Sequence, residues 1–372
     1  MITDKPHWKA LIYAAGNNNL SYSMAASLQA LEETELPANV DVFVQSFDGE
    51  GASVRYRLAR DEHGKTVRSE QTAAPVNSGD PASLSSFLDY ANSASPDAST
   101  FLILGGHGEG HRGTAIDDGH KDRLDLPELE QALSNRPVQT LLFDSCLMGA
   151  TEVADTLADE AEVVVASADV VRSGAPLADY LRAASASHNG ESLGRTLVEH
   201  RPVQFSTMSA VNTSAMARLK EPLKELAAEL LKLEPSQVQE LHEASRRGLD
   251  GTGNALFGYY SYPGFRVDLG DFCRQIGERK DVSEELRAAA RSTAEGADRA
   301  TLAHSAKDSE SASTGFTLAL PLYRKEKEFQ PEEVAFWKET GWDKVIETFS
   351  VQNKKKAEGP TFEELLKRPL TV

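Results

Sequence analysis

Residues 100–110 read TFLILGGHGEG, and residues 138–149 read VQTLLFDSCLMG. Each stretch begins with an apolar run that has the length of a buried strand and then changes to small and polar residues. The first run leads to His107 and the second to Cys146, with a helical pattern between them. Parallel strands joined in this way bring their carboxyl ends to one edge of a sheet, where ligands bind in open α/β folds. We therefore expect the imidazole and the thiol to lie close together.

The alternation of strand and helix patterns extends to both sides of these two runs. Strands that alternate with helices predict a mostly parallel sheet covered by helices on both faces, an α/β fold. Two further runs around a turn at residues 61–64 predict an exposed hairpin. The predicted strands span residues 8–15, 40–47, 100–104, 138–143 and 162–166, the helices residues 20–35, 81–92, 126–134 and 148–160, and the hairpin residues 54–58 and 66–71.

The pattern changes to longer helical stretches after Val170. No linker rich in Pro, Ser or Gly precedes this second part, so we expect it to pack on the first. The predicted organisation is a core at residues 1–210, a helical C-terminal region at 211–353 with a returning strand near 315–320, and a weakly ordered tail at 354–372. Within the C-terminal region the helices are predicted at 215–233, 236–247, 269–300 and 337–349, with a Gly-rich aromatic segment at 251–265.

Composition excludes several classes of protein. The chain has 372 residues and a formal net charge of −18, which disfavours nucleic acid and anionic lipid as partners and favours cationic substrates. Only 2 cysteines occur, so a disulfide-dense scaffold and a zinc ribbon are excluded. No apolar run has the length of a membrane helix, and residues 1–9 do not resemble a signal peptide, which predicts a cytoplasmic protein.

The two cysteines differ in their surroundings. Cys146 follows a strand and precedes a helical pattern, so we expect a helix N-terminus and a neighbouring imidazole to lower the pKa of its thiol. His107 is flanked by glycines, which let the backbone approach a ligand closely. Cys273 falls among apolar residues at helical spacing, which predicts a buried packing role.

Two other interpretations of the segment after His107 compete with a thiol site. Residues 108–113 match the dinucleotide motif G-x-G-x-x-G, but the motif requires a helix directly afterwards, and residues 114–123 have no helical pattern. A metal site built from nearby histidines and aspartates would need its histidine pair on a helix, whereas the intervening glycines favour a loop. Its ligands would be His107, His111, Asp117, Asp118 and His120, of which Asp117 and Asp118 are also candidate calcium ligands.

The two strand ends together resemble the clostripain-like family of cysteine peptidases, in the clan of caspases, legumain, gingipains and separase. The resemblance rests first on an apolar strand followed by His-Gly and on the block 144–149, DSCLMG, with TEV at 151–153. Further likenesses cover most of the chain: YAAGNNNL at 13–20, SGDP at 78–81, Ala166-Ser167, VDLGDF at 267–272, residues 315–321 and TGW at 340–342. The resemblance implies a caspase-like α/β/α sandwich with a mostly parallel central sheet plus a helical C-terminal region.

The resemblance also implies roles for individual residues. Cys146 would be the nucleophile and His107 the general acid and base. The backbone N–H groups of Gly108 and Cys146 would form the oxyanion hole, and no third orienting residue is required. Hydrolysis would then pass through an acyl-enzyme intermediate. A catalytically silent relative that binds basic peptides in the same cleft is the alternative, although such a module has no need of the His-Cys pair.

Pleat geometry indicates the substrate class. Asp144 lies two residues before Cys146, so in a strand both side chains point to one face. Asp169 follows the next strand, and these two carboxylates would form an acidic pocket for Arg or Lys, which matches the basic preference that the resemblance implies. Ser167 is a further substrate-binding candidate and Asp179 a candidate for the pocket rim. In the alternative, Asp144 caps the following helix.

Regulation and partners are expectations from the same resemblance. The loop 110–123 contains Lys121 and Arg123, and relatives are often activated by cleavage in such a loop, so either residue is a candidate processing site. Cleavage by the protein itself and by an upstream protease both remain open. The expected partners are peptides or proteins with Arg or Lys at the cleavage site. A monomer is expected, with no required cofactor, and calcium remains open.

Overall fold

The computed structural model describes residues 6–74, 76–172, 174–245, 266–306, 314–320 and 334–349. The predicted aromatic segment at 251–265 and the tail at 354–372 lie outside these residues. The described strands are β1 Trp8–Ala15, β2 Val40–Phe47, β3 Ser53–Arg60, β4 Thr66–Ala73, β5 Ser99–Gly105, β6 Thr114–Asp117, β7 Asp122–Leu124, β8 Val138–Asp144, β9 Ala161–Ala166, β10 Thr207–Asn212, β11 Arg266–Asp268, β12 Thr301–Ala306 and β13 Thr317–Ala319.

The helices alternate with these strands in the first half of the chain and dominate the second. They are α1 Ser21–Glu32, α2 Pro81–Ala94, α3 Leu126–Leu133, α4 Thr151–Thr156, α5 Leu177–Ala186, α6 Gly190–Glu199, α7 Met216–Leu230, α8 Pro235–Ser245, α9 Leu269–Glu278, α10 Glu284–Ala300, α11 Ala335–Thr340 and α12 Trp342–Phe349. None of the helices that the structure describes is both long and apolar enough to cross a bilayer.

A nine-stranded sheet in the order β12-β10-β9-β8-β5-β1-β2-β3-β4 organises the described residues. Its five central strands, β9 to β2 in that order, are parallel, whereas β10 and β12 at one edge and β3 and β4 at the other are antiparallel. The predicted α/β fold with a central parallel sheet is therefore confirmed, and antiparallel pairs at both edges make the sheet mixed. The predicted hairpin is β3–β4, which extends one edge.

Each face of the sheet carries its own apolar core, because successive side chains of a strand point to opposite faces. On β1, Ile12 packs with α1, α5 and α6, whereas Leu11 packs with α2, α3 and α4. Residues 42–44 of β2 and 101–104 of β5 divide between the two faces in the same way. The result is the predicted three-layer α/β/α sandwich.

The C-terminal helices form a third core beside the sandwich. Residues from α7 to α12 pack together with β11 and β13, and Ala154 of α4 joins this core to the sheet. Cys273 lies within it, fully buried, as the sequence predicted for a packing residue. The strand predicted near 315–320 pairs with β11 as β13, and β12 returns from this region to the main sheet.

Several predicted element boundaries differ from the structure. The helix predicted over 269–300 is two helices, because the chain is extended at Arg279 and α10 begins anew with Ser283 as its N-cap. The helix predicted over 337–349 is interrupted at Gly341, whose φ of +70° belongs to the left-handed region. Strands β10 and β12 were not predicted, since their short sequences, TMSAVN and TLAHSA, lack a sustained apolar run.

A small hairpin, β6–β7, is tied to the main sheet by one buried carboxylate. Asp117 is fully buried and accepts hydrogen bonds from Asn17 Nδ2 at 2.6 Å, from the Ser78 N–H at 2.9 Å and from the His120 N–H at 2.9 Å. Burial alone would raise the pKa of Asp117, but these donors outweigh burial and lower it. The hairpin is thereby attached to the turn after β1.

Replacing Asp117 with Ala should lower the free energy of unfolding by about 1–3 kcal/mol at pH 7, because several buried donors lose their acceptor. The folded-state pKa of Asp117 lies below its unfolded value, so this contribution is present above about pH 4 and is lost as the pH falls through the folded-state pKa. Urea unfolding from pH 7 to pH 3 measures the effect, with the exposed neighbour Asp118→Ala as control. Equal stabilities of the two variants would contradict the assignment.

Candidate active site

The carboxyl ends of β5 and β8 meet at one edge of the sheet. The two strands are parallel neighbours, and Gly105 of β5 is paired with Asp144 of β8. Beyond this pair the chains stay close, since a Cβ built on Gly108 would lie 2.5 Å from the Cys146 carbonyl oxygen. His107 and Cys146 both line one cavity of about 210 Å³ at this edge, as the sequence predicted from the two strand ends.

Position in the sheet explains why a cavity forms here. The chain passes from β1 to β2 on one side and then to β5 on the other, so the strand order reverses at β1. Ligands of open α/β sheets bind outside such a reversal, at the carboxyl ends of the strands. The cavity is lined by Asn19, Leu20, Ser23, Met24 and Ser27 after β1, by Gly106 and His107 after β5, by Asp144 and Cys146 of the β8 end, and by Val170, Val171, Arg172, Gly174 and Ala175 after β9.

The backbone at Gly106 requires glycine. Its φ of +145° is rarely adopted by residues with a side chain, and a Cβ would lie 3.0 Å from the Ala15 carbonyl oxygen. Gly106 therefore allows the chain after β5 to approach β1 closely, which places His107 beside the turn that follows β1.

The His107 ring is held by a residue that the sequence analysis did not identify. Asn19 Oδ1 lies 2.6 Å from His107 Nε2, so the Nε2–H group donates a hydrogen bond to the amide oxygen and Nδ1 retains a lone pair. Burial lowers the pKa of His107, while the Asp118 and Glu109 carboxylates oppose the change. The imidazole is therefore neutral near pH 7 and able to accept a proton. The sequence signal that could have identified Asn19 is the polar turn at the carboxyl end of β1, the strand beside β5.

Cys146 lies in a turn and not at a helix N-terminus. Strand β8 ends at Asp144 and α4 begins only at Thr151, because the chain reverses through Leu147, whose φ is +65°. The thiol is held by one residue of the loop after β9: Sγ accepts from the Val171 N–H at 3.3 Å and donates to the Val171 carbonyl at 3.6 Å. Val171 itself is fixed by a bridge to Phe205.

The pKa of Cys146 is raised and not lowered. Burial raises it to about 11, the Val171 N–H opposes this change, and the Asp169 and Asp144 carboxyls add to it. The expectation that a helix N-terminus and an imidazole would stabilise the thiolate is therefore wrong for this state. At rest the site contains a neutral thiol and a neutral imidazole.

Asp144 is a buried residue in the lining of the cavity. It is 7% exposed, and Tyr180 Oη donates to its Oδ2 at 3.5 Å. Burial raises the pKa of Asp144 to about 7, with the Tyr180 hydroxyl opposing. The alternative role as a helix cap is wrong, because α4 has Ala150 at its N-cap position and no side-chain cap. Asp144 and Cys146 line the same cavity, as the pleat of the strand predicted.

The other predicted pocket residues lie outside the lining of this cavity. Asp169 accepts from Ser206 Oγ at 3.1 Å, and its charge contributes to the raised pKa of Cys146. Ser167 is fully buried, and its Oγ lies 3.1 Å from Thr207 Oγ1. Asp179 is exposed on α5, where it pairs with Arg182. Of the four predicted residues, Asp144 alone lines the cavity.

Hydrogen bonds from β6 fix the orientation of the peptide group between His107 and Gly108. The His107 carbonyl accepts from the Ala115 N–H at 3.1 Å and from Thr114 Oγ1 at 3.1 Å, both on β6. In a planar trans peptide the N–H of the next residue points opposite to this carbonyl. The Gly108 N–H is therefore directed away from β6. This orientation is compatible with the oxyanion-hole role that the resemblance implies.

The two competing interpretations of residues 107–120 do not fit the structure. Gly110–Arg112 forms a single 3-10 turn followed by strand β6, so no helix follows the glycines and the dinucleotide interpretation is wrong. His111 packs on Trp337 with ring centroids 5.1 Å apart, and His120 Nδ1 lies 3.0 Å from Asp117 Oδ1. Across the described ranges, no three His, Cys, Asp or Glu side chains form a group that could hold a metal ion.

The two predicted processing residues differ in accessibility. Lys121 is exposed in the turn between β6 and β7 with a φ of +56°. Arg123 lies on β7, is partly buried and forms an ion pair with Glu109. Lys121 is therefore the more accessible of the two to another protease molecule.

Comparisons with known proteins agree with this geometry. A model of the clostripain family matches residues 12–349, which is most of the chain. No protein in a search of curated sequences matches this chain.

Solved structures show the same fold. The secreted C11 cysteine protease iotapain from Bacteroides thetaiotaomicron has 18% identity and a TM-score of 0.68, with 90% of this chain and 99% of that chain covered. An inactive zymogen C11 protease from Parabacteroides distasonis has 18% identity and a TM-score of 0.65, covering 91% and 99%. A Bacteroides thetaiotaomicron C11 protease in complex with an irreversible peptide inhibitor has 17% identity and a TM-score of 0.62, covering 91% and 100%. The likeness in fold extends over both the sheet and the C-terminal helices.

Iodoacetamide should alkylate Cys146 slowly at neutral pH. A thiol with a pKa of about 11 should react about 100-fold more slowly at pH 7.5 than an unperturbed cysteine, because only the thiolate attacks. The rate should rise steadily up to pH 10. Mass spectrometry of the Cys273→Ala variant isolates the signal of Cys146, and a cysteine-containing peptide serves as reference. Rapid alkylation with a midpoint below pH 8 would show that the thiol is a thiolate at rest.

Proposed function

The chain belongs to the clostripain family of cysteine peptidases, and from this premise we propose an endopeptidase that cleaves peptide bonds after Arg or Lys. One observation carries the proposal: a thiol, an imidazole and a buried carboxyl, those of Cys146, His107 and Asp144, line a single cavity. The first two groups suit nucleophilic attack on a peptide carbonyl, and the third suits a cationic side chain.

In the proposed reaction the thiol is activated only when it attacks. His107 Nδ1 accepts the Sγ proton as sulfur bonds to the substrate carbonyl carbon. The tetrahedral intermediate collapses when the C–N bond breaks, and His107 returns the proton to the leaving amine. Water, deprotonated by His107, then hydrolyses the thioester and restores the thiol. No cofactor enters this sequence.

The neutral resting pair is compatible with this role of His107. A neutral imidazole can accept a proton, and the lowered pKa of His107 keeps it neutral at pH 7. The Nε2–H group donates a hydrogen bond to Asn19, so proton transfer is assigned to Nδ1. We therefore propose Asn19 as the residue that orients the ring, in addition to the catalytic pair.

The backbone N–H groups of Gly108 and Cys146 are the proposed donors to the developing oxyanion. Main-chain donors need no reorganisation during the reaction, and losing one such donor costs about 10²–10³-fold in rate in enzymes where it has been measured. The close approach of Gly108 to the Cys146 carbonyl oxygen keeps the two peptide groups adjacent.

Specificity is proposed to rest on Asp144. Its carboxyl is buried in the same cavity as the thiol, so a substrate cation that reached it would pair with a desolvated charge. Asp169 would contribute to the field around this pocket without lining it. The net charge of −18 would also attract basic segments of a substrate.

Activation by cleavage in the β6–β7 hairpin is proposed as regulation. Lys121 is exposed at the turn and has the side chain that the proposed pocket accepts. The hairpin contacts the turn that carries Asn19, because Asn18 Nδ2 donates to the Ile116 carbonyl at 2.7 Å and the Asp118 N–H donates to the Asn17 carbonyl at 2.9 Å. Cleavage after Lys121 would therefore free one end of a segment that contacts the turn carrying Asn19, the residue that binds the His107 ring.

Comparing peptides with Arg and with citrulline at the cleavage site tests charge recognition by the pocket separately from the catalytic mechanism. Citrulline has the shape of Arg without its charge. Arg and Lys peptides should be hydrolysed, and the ratio of kcat/KM for Arg to that for citrulline should rise from pH 6 to pH 8. The pKa of Asp144 is about 7 in the free enzyme, so its charged fraction increases over this range. Asp144→Asn should reduce the ratio by about 30-fold or more, which corresponds to about 2 kcal/mol.

Two variants control this experiment. Asp179→Asn removes an exposed carboxylate outside the cavity and should leave the ratio unchanged. Cys146→Ala should abolish all turnover. Preference for Asp or Asn substrates would overturn the proposed pocket but leave the mechanism intact. Binding of basic peptides without any hydrolysis would favour the catalytically silent alternative.

Purified wild-type protein should be cleaved into two chains at the peptide bond after Lys121. Intact mass measurement detects the two fragments. Lys121→Ala should remain a single chain, whereas Arg123→Ala should still be cut, because Arg123 is partly buried on a strand. If Cys146→Ala remains intact and is cut when wild type is added, the enzyme processes itself. A single-chain wild type with full activity would refute the processing proposal.

A further inference from the structure

Arg266 connects the C-terminal region to both loops of the candidate active site. It is the first residue of β11, and its Nη1 donates to the Leu147 carbonyl at 2.8 Å while Nη2 donates to the Glu109 carbonyl at 3.2 Å. These acceptors are 119 and 157 positions away in the sequence. Leu147 directly follows Cys146, and Glu109 directly follows Gly108, so each acceptor is next to a proposed oxyanion-hole donor.

The guanidinium occupies space that the loop leaves for it. A Cβ built on Gly110 would lie 2.0 Å from Arg266 Nη2, and Gly110 has a φ of +65°. Any side chain at position 110 would therefore displace the guanidinium. Packing against Arg266 therefore explains the glycine at position 110, which the sequence analysis had considered only as part of a dinucleotide motif.

Burial lowers the pKa of Arg266, and two nearby carboxylates oppose this change. Glu152 on α4 is fully buried, and its charge together with that of Glu109 favours the charged guanidinium, whereas burial disfavours it. Burial raises the pKa of Glu152 to about 7, and Arg266 opposes this change. A partly buried cation that donates to two main-chain carbonyls and interacts with two carboxylates loses hydration, and an arrangement with this cost indicates a specific role.

Arg266 binds the backbone turn at Leu147, directly after Cys146. Its φ of +65° is unfavourable for a residue with a side chain, so this turn persists only where the surroundings hold it. The Leu147 N–H donates to the Asp169 carbonyl at 3.1 Å, and its own carbonyl accepts from Arg266. The peptide groups on both sides of Leu147 are thereby fixed, and with them the path of the chain at Cys146.

We propose that Arg266 is a positioning residue that holds the 146–147 turn and the 108–110 loop in register, so that the N–H groups of Cys146 and Gly108 converge on one oxyanion. This inference rests on the proposed function. It gives the C-terminal region an indirect part in the proposed reaction, through the two loops that Arg266 holds. Arg266 itself does not line the cavity.

Hydrolysis and alkylation report on different parts of the site. Peptide hydrolysis passes through a tetrahedral oxyanion and needs the two N–H groups. In alkylation the Cys146 thiolate displaces iodide from the CH2 carbon of iodoacetamide, where no oxyanion develops, so the two N–H groups are not needed. Arg266→Met should lower kcat for an Arg peptide at least about 100-fold with little change in KM, and should alter the alkylation rate of Cys146 less than 3-fold. Arg266→Lys, which can reach one of the two carbonyls, should have an intermediate kcat.

Arg274→Met is the matched control, because Arg274 lies on α9 and pairs with Asp298 of α10 and with neither loop. Its kcat should equal that of wild type. Wild-type kcat in Arg266→Met would overturn the proposal, and so would a parallel fall in hydrolysis and alkylation, which indicates general loss of structure. If the Met variant does not fold, Arg266→Lys decides by the same two rates. Absence of hydrolysis by wild type would contradict the proposed function, whereas equal hydrolysis by wild type and Arg266→Met contradicts only the positioning role.

Discussion

Parallel pairing of β5 with β8 is the constraint on which the candidate active site depends. The register that pairs Gly105 with Asp144 sets how far each chain must travel beyond the sheet to reach His107 and Cys146. A one-residue shift of this register would turn the side chains of one strand to the opposite face. Asp144 would then leave the cavity and enter the apolar core on the other face of the sheet. Burial at its present position already raises its pKa to about 7, so a charge deeper in the core would be costly.

Those features of the site that follow from strand periodicity were predictable from sequence. His107, Cys146 and Asp144 could be placed because strand ends and pleat alternation are local properties. Asn19, Val171 and Arg266 could not, because each contacts the site from a segment distant in sequence. The fold was predictable to the same extent: the apolar parallel strands were found, whereas β10 and β12 depend on tertiary pairing that their small and polar residues do not reveal.

The expected thiolate shows where a local argument fails. A strand followed by a helical pattern suggests that the residue between them lies at a helix N-terminus. Here the left-handed residue Leu147 reverses the chain, and α4 begins only at Thr151. Desolvation and two acidic neighbours therefore determine the pKa of Cys146, and a single Val171 N–H does not compensate for them. The same burial lowers the pKa of His107, so the two groups are neutral for one physical reason.

This neutrality changes what the rest of the protein must supply. In a preformed thiolate-imidazolium pair the nucleophile is already deprotonated before the substrate binds. In the proposed mechanism a neutral pair would transfer the proton as the carbon–sulfur bond forms, so the negative charge would appear on the substrate oxygen and not first on sulfur. The proposed reaction would then depend more strongly on well-aligned main-chain donors. A guanidinium that reaches from the C-terminal core to the carbonyls of Leu147 and Glu109 is placed where such alignment is controlled.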